Sequence, residues 1–314
     1  MEVIRGYRNI KPHHRGSVVT IGNFDGVHHG HRLLIAHLVA KGRELGAPTM
    51  LITFEPLPRE YLQGQQVPAR LTRFREKARL LEEIGIDFLL CFPFNQRTRQ
   101  QPAEWVCEGF LHDLLAVRYV VVGDDFRFGE GRRGNYDMLK AAGDRLGYDV
   151  SHIGTLTFDH ERVSSTRIRE ALAQGDLVHA EKLLGRPYAI TGRVVYGRQL
   201  GRQLGVPTAN IRLQRYRAAL VGVFAVTVEG LSRPLQGIAN IGVRPTVDGK
   251  EPMLEVHLFD FEGDVYGQLL KVTFRHKIRD ERAFESIAAL ERQIKQDILD
   301  ARDWFARQSG APRS

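Results

Sequence analysis

Apolar residues along the first half of the chain follow two alternating rhythms. Short, nearly unbroken apolar runs stand at SVVTIG (17–22), PTMLITF (48–54), DFLLCF (87–92) and YVVVG (119–123), with a more polar run, DVSHIG, at 149–154. Between them apolar residues recur every three or four positions, in HRLLIAHLVAKGREL (31–45), RFREKARLLEEIG (73–85), PAEWVCEGFLHDLLA (102–116) and YDMLKAAGDRLG (136–147). The runs predict buried strands and the intervals amphipathic helices. In the first helix Leu34, Ile35, Leu38 and Val39 form one stripe, and Gly46 is its stop signal. Strands that alternate with helices and are apolar throughout predict an α/β fold, a Rossmann-like parallel sheet covered on both faces. Ligands of such sheets bind beyond the carboxyl ends of the strands.

After LLGRP (183–187) the rhythm changes. YAITGRVVYG, GVFAVTVEG, PLQGIANIG, LEVHLFD and LLKVTFRHKIR read as strands separated by glycine turns, which predicts a small antiparallel β-barrel or sandwich. From about Phe284 a helical period returns, with Ile287, Leu290, Ile294, Ile298 and Leu299 as its stripe, and SGAPRS reads as a frayed tail. The length of 314 residues suits two domains. The expected division is residues 1–185, residues 186–308 and a tail of 309–314.

With 43% hydrophobic and 26% charged residues the chain has the composition of a globular protein. A net charge of +8 favours anionic partners. Lysine and arginine are scattered rather than blocked, so a nucleic-acid partner is not expected. The two cysteines, Cys91 and Cys107, form neither CxxC nor a zinc pattern and read as buried thiols of a reducing compartment. MEVIRGYRNIKPHH lacks the apolar core of a signal peptide, and no apolar run nears the ~20 residues of a bilayer span. A cytoplasmic protein without a membrane partner is expected.

TIGNFDGVHHGH (20–31) joins the first of these strands to the first helix. That junction presents free backbone N–H groups and a positive helix end to phosphate. Gly22, Gly26 and Gly30 permit a tight turn and close approach of a ligand. His28 and His31 are three apart and share one side of the helix, while His29 points elsewhere. The residues alone leave three readings open: stabilisation of phosphate charge, a zinc site that lacks a convincing fourth ligand, or ordinary capping.

GNFDGVHHGH resembles the G-x-F-D-x-x-H-x-G-H signature of the HxGH nucleotidyltransferases. The resemblance implies that His28 and His31 embrace a nucleoside triphosphate while its α-phosphate is attacked, with Gly22, Asn23, Phe24, Asp25 and Gly30 around it. It also implies a later serine/threonine-rich phosphate loop, and VSSTRIRE (163–170) supplies Ser164, Ser165 and Thr166 ahead of a helix, with Arg169 as a further bidentate phosphate contact. Plain N-capping by serine is compatible with that role, because both use one helix end.

Two further stretches follow strands: TFEPLPRE (53–60) and GDDFRFGEGRRG (123–134). Asp124 and Asp125 read first as turn formers, with magnesium ligation as the alternative, and Phe126 and Phe128 as core, with a platform for a flat ring as the alternative. Together these stretches resemble the bacterial bifunctional riboflavin kinase/FMN adenylyltransferases (FAD synthetases), from the first residues to about Phe305. The resemblance implies adenylylation of FMN by the first domain, with Asp125, Phe126 and Arg127 at the flavin. Leu57 departs from the histidine common at that position.

GRQLGRQLGVPTAN (197–210) is the dense stretch of the second half. Gly197, Gly201 and Gly205 recur every four residues, but no G-K-[ST] follows, so it is not a Walker loop. The hydroxyl of Thr208 and the amide oxygen of Asn210 are hard ligands suited to Mg²⁺ shared with phosphate, and a turn leading into a strand is the plain alternative. GVPTAN resembles the G-x-P-T-A-N signature of riboflavin kinases, with Val206 where phenylalanine is usual. The resemblance implies that Pro207, Thr208, Asn210 and the three glycines hold ATP, and that Thr208 and Asn210 also hold Mg²⁺. It implies too that Glu255 is general base for the riboflavin 5′-hydroxyl. Strand alternation turns Glu255 away from Leu254 and Val256. The expected substrates are riboflavin, FMN and ATP. Two rival readings are an HxGH transferase with another substrate and a β-barrel nucleic-acid reader. The latter lacks the basic, aromatic stripe it needs.

Overall fold

The structure, a computed structural model, describes residues 1–158, 161–197, 205–246 and 249–309, without side-chain detail at 243–246, 249–251 and 309. It divides into two compact units. One holds Met1–Val67 and Thr72–Ser165, and the other Pro68–Leu71 and Thr166–Ser314.

The first unit is a parallel sheet of six strands: β1 (Glu2–Arg5), β2 (Val18–Ile21), β3 (Thr49–Glu55), β4 (Phe88–Pro93), β5 (Tyr119–Gly123) and β6 (Asp149–Ile153). Their spatial order is β1-β4-β3-β2-β5-β6. Alternate residues of each strand serve opposite faces. Val18, Leu51, Leu89 and Val121 pack with Leu34, Ile35, Leu38 and Leu81 from the His29–Leu45 and Phe74–Ile84 helices. Val19, Met50, Ile52, Leu90, Val120 and Val122 pack on the other face with Phe110, Leu111 and Leu139. Burial on both faces is why these strands are apolar throughout. Gly46 ends the first helix in a left-handed cap, φ 56°, as its position predicts. The chain lays β3 and β4 on one side of β2 and β5 and β6 on the other, so a crevice opens beyond the carboxyl end of β2. The strand β1 has no counterpart in the sequence reading, because only Ile4 of its four residues is buried. A small hairpin, β7 (Thr157–Phe158) and β8 (Glu161–Arg162), completes the unit.

The second unit contains a closed antiparallel barrel of β9 (Ala189–Val195), β10 (Ala209–Arg212), β11 (Gly222–Glu229), β12 (Leu235–Thr246), β13 (Gly249–Leu258) and β14 (Leu269–Arg279), in the order β10-β13-β12-β11-β14-β9. Val194, Ile211, Leu254 and Ile241 face one another across four strands and are fully buried, which identifies the inner face. The opposite face carries Val223, Ala225 and Ile238, covered by Ala301 and Phe305 of the Ile287–Ser309 helix. That helix is also clamped by buried Asp297, which accepts from Arg279 Nε at 2.9 and 3.0 Å and from Nη2 at 2.8 Å. The predicted stripe differs in its ends: Ile287 and Leu299 are exposed, and the seated face runs through Asp297, Ala301 and Phe305. A helix laid on a small barrel touches it over few turns, so apolar residues outside that contact stay in water. Of the SGAPRS tail, residues 310–314 lie outside the described residues. The helices Ser165–Gln174 and Leu177–Leu184 bury Ile168, Ala171, Leu172, Ala180 and Leu183. Among the described residues no helix is long and apolar enough to cross a membrane.

Candidate active sites

The site of the first unit is built where β2 ends. The chain turns through residues 22–28, and Phe24, Gly26 and Val27 all take left-handed backbones, with φ of 48°, 88° and 43°. A β-branched residue there is strained and must be held by its surroundings. The buried carboxylate of Asp25 accepts from the Thr72 amide at 2.9 Å and the Thr72 hydroxyl at 3.3 Å, while the Gly26 amide donates to Thr72 Oγ1 at 2.9 Å. Buried Lys77 donates from Nζ to the Asn23 carbonyl at 2.5 Å and to Thr53 Oγ1 at 2.9 Å. The turn is thus pinned from two directions.

His28 caps the helix: its Nδ1 accepts from the His31 amide at 3.3 Å. An accepting Nδ1 leaves the proton of the neutral ring on Nε2. The His31 ring stacks on it with centroids 3.6 Å apart and planes 17° apart, so the two imidazoles do share one side, and His29 is exposed. A Cβ on Gly30 would make only ordinary contacts, 3.4 Å from the His28 ring and 3.7 Å from the Val163 carbonyl. The amides of His29 and Gly30 lie in the first turn, where no intrahelical acceptor exists, at the positive end of the helix. The later element meets this turn, since Ser165 Oγ donates to the Asp25 carbonyl at 2.9 Å. Ser165 and Thr166 lie inside the first turn of their helix rather than ahead of it. Thr166 and Arg169 belong by packing to the second unit, where Arg169 Nε donates to the Ala69 carbonyl.

The loop after β5 resolves one alternative. Asp124 accepts from the amide and hydroxyl of Thr155 at 3.0 and 2.7 Å, and the hydroxyl bond chiefly holds its pKa below the ordinary value. Asp125 pairs instead with Arg162 at 2.5 Å. The two carboxylates do not converge and act as loop fasteners. Phe126 and Phe128 stack at 5.4 Å; Phe128 is buried and Phe126 packs on the core, while Arg127 is exposed. Both cysteines are buried, and burial pushes the Cys107 thiol up to about 11. Glu2, His13 and His14 cluster closely enough for a metal. However, His14 Nδ1 accepts from the Lys11 amide at 2.9 Å, so its Nε2 carries a proton toward Glu2 Oε1 and offers no lone pair.

The site of the second unit lies on the outer face of the barrel. Asn210 on β10 stands directly opposite Glu255 on β13, which stands directly opposite Asn240 on β12. Leu254 and Val256 are fully buried and Glu255 is half-buried, as the alternation predicts. Asn210 Nδ2 donates to the Thr208 carbonyl at 3.3 Å, and Gly197 packs on the Asn210 amide. His257, two residues from Glu255 on the same face, holds the Pro207 carbonyl from Nδ1 at 2.9 Å. Gly205 is left-handed with φ 72°. Gly201 lies outside the described residues.

The FAD synthetase family profile matches residues 10–167 and the riboflavin kinase profile residues 184–305. The bifunctional riboflavin kinase/FMN adenylyltransferase of Escherichia coli (strain K12) is 47% identical over 311 residues, 97% of this chain and 98% of that protein. Its counterpart in Pseudomonas fluorescens is 48% identical over 304 residues, 96% of this chain and 97% of that protein. This chain belongs to the bifunctional riboflavin kinase/FMN adenylyltransferase family. A crystal structure described as a macrolide-efflux protein from Streptococcus pneumoniae shares the fold, with a TM-score of 0.81 and 30% identity over 96% of this chain and 99% of that one.

Within the family fold, the two departures from the usual motifs, Leu57 and Val206, are both buried side chains. Lys77, Thr72, Asn240 and His257 carry no motif in the sequence. Lys77 leaves one signal: it occupies an apolar position four residues before buried Leu81 on its helix. The others are set by strand register or loop contact, which leaves no local trace.

Proposed function

We propose that the chain builds FAD from riboflavin in two ATP-dependent steps, phosphorylation on residues 186–308 and adenylyl transfer on residues 1–185. Membership of the family makes it a riboflavin kinase and an FMN adenylyltransferase, and both reactions use ATP. One observation carries the pairing of the two activities: the 47% identity runs through both units, over 97% of the chain.

In the kinase step the 5′-oxygen of riboflavin attacks the γ-phosphorus of ATP, the bond to the bridging oxygen breaks and ADP leaves. Glu255 takes the hydroxyl proton, and Asn210 beside it faces the phosphates. Phosphoryl transfer depends on positioning and on neutralising charge. Thr208 and Asn210 offer the hard oxygens that Mg²⁺ requires, and the Asn210 amide nitrogen is already turned to the Thr208 carbonyl, which leaves Oδ1 on the other edge. Mg²⁺ held by them and by ATP would neutralise phosphate charge. Gly197, Gly205 and Pro207 lie along the nucleotide.

In the second step a phosphate oxygen of FMN attacks the α-phosphorus of ATP, and pyrophosphate leaves. His28 and His31, with the amides of His29 and Gly30, stabilise charge on the departing phosphates, because donors fixed in advance need no reorganisation as charge develops. The pinned turn of Gly22, Asn23, Phe24 and Asp25 and the hydroxyls of Ser164 and Ser165 frame the triphosphate. The loop bearing Asp125, Phe126 and Arg127 lies beyond β5, on the other side of the crevice, and receives the flavin. The partners are small molecules, not nucleic acid or membrane, and the setting is the cytoplasm. Riboflavin, ATP and Mg²⁺ incubated with the purified chain yield FMN and then FAD with pyrophosphate, read by chromatography. Unchanged riboflavin, together with no FAD from FMN supplied separately, overturns the reading.

A further inference from the structure

We propose that Asn240 holds the ribityl chain of riboflavin, on the side of Glu255 away from the nucleotide; the inference rests on Glu255 as the kinase base. Residues directly opposite in antiparallel strands have Cβ atoms ~4.5–5.5 Å apart and share a face. Asn210, Glu255 and Asn240 therefore form a row of three polar side chains across three strands. Beyond Asn240 the row continues to Val223, beneath the terminal helix. The row thus has two distinct flanks.

On one flank Asn210 is committed to the Thr208 carbonyl and covered by Gly197. On the other flank Asn240 is half-buried, and among the described residues its amide bonds to no other protein side chain or backbone group. A half-buried amide has two donors and an acceptor to satisfy. Two residues along the same face, Gly242 has no side chain, and a Cβ there would overlap Glu281 Oε1, so the Glu281 carboxylate rests over the bare α-carbon. This flank is edged by the carboxylates of Glu255 and Glu281, which accept hydrogen bonds and repel anions. A neutral polyhydroxyl chain suits it, because each hydroxyl both donates and accepts. A phosphate does not. Of the two kinase substrates, only riboflavin carries such a chain.

The test is steady-state kinase kinetics of Asn240→Leu and Asn240→Ser in the full chain, with FMN adenylylation in the same samples as the folding control. Asn240→Leu is expected to raise KM for riboflavin ~3- to 10-fold, the loss of one neutral hydrogen bond, with KM for ATP unchanged. Asn240→Ser, which keeps one hydrogen-bonding group, gives a smaller rise. Inhibition by lumiflavin, which has the ring but no ribityl chain, stays at the wild-type level. An unchanged riboflavin KM, or parallel weakening of lumiflavin, overturns the inference. Glu255→Gln separates the two claims. If that variant loses kinase activity while Asn240→Leu behaves as wild type, only the role of Asn240 falls. If Glu255→Gln keeps the wild-type rate, the base assignment falls and the inference falls with it.

Discussion

Gly197→Ala probes the geometry of the proposed kinase site with one carbon atom. Gly197 follows β9 two residues after Val195, the partner of Asn210 in register. A Cβ there would lie 2.4 Å from Asn210 Cγ and Nδ2 and 2.6 Å from Oδ1, against at least 3.4 Å for an ordinary contact. The amide must therefore retreat by about 1.0 Å. It cannot do so freely, because Asn210 is buried and its Nδ2 is engaged with the Thr208 carbonyl. Misplacing a positioning group by ~1 Å costs on the order of 10²-fold in rate, so FMN formation at saturating ATP is expected to fall ~10- to 100-fold. Conversion of supplied FMN to FAD by the same sample should not change, which shows that the chain is folded. Gly205→Ala is the contrast. Its φ is +72° but a Cβ there meets nothing within 4 Å, so it costs ~1–2 kcal/mol of conformational energy without displacing a ligand. A kinase rate within about twofold of wild type for Gly197→Ala refutes the reasoning, since the overlap would then move nothing that phosphoryl transfer needs.

Ser165→Ala removes the hydroxyl that donates to the Asp25 carbonyl, a neutral bond worth ~0.5–1.5 kcal/mol; adenylyl transfer should fall ~3- to 10-fold with the kinase rate intact, read as FAD from FMN against FMN from riboflavin. Asp260 accepts from both Nη atoms of Arg302 at 3.0 and 2.8 Å, and that bond chiefly holds its pKa below 3.8. A folded pKa below the unfolded one gives stability that is present above 3.8 and lost as pH falls through the folded value. Arg302→Met should therefore flatten the acid side of the unfolding profile as pH falls below about 3.8, followed by circular dichroism in denaturant.

The sheet was legible because strands buried on both faces must be apolar along their whole length, as at YVVVG, and the helix stripe of Leu34, Ile35 and Leu38 because its buried face repeats with the helical turn. Strand β1 escaped because a four-residue edge strand buries one side chain, and β10 because Ala209–Arg212 is too short to show a period. The terminal helix misled at Ile287 and Leu299, since a 23-residue helix meets the barrel over only part of its length. Motifs marked His28, His31, Ser165 and Asn210 as site candidates, because each stands in a short run that can be read without the fold. Asn240 and His257 are placed by register across β12 and β13, and Lys77 by a contact 54 residues away in sequence. Such residues are chosen by the folded arrangement and leave ordinary-looking neighbourhoods in the sequence.

The central claim is that each half of the chain carries its own triphosphate chemistry. The most direct measurement compares two double variants, His28→Ala with His31→Ala and Thr208→Ala with Asn210→Ala, each assayed for FMN from riboflavin and for FAD from supplied FMN. The first is expected to make FMN but no FAD, and the second to make FAD from FMN but leave riboflavin untouched. Loss of both activities in either folded variant contradicts the claim.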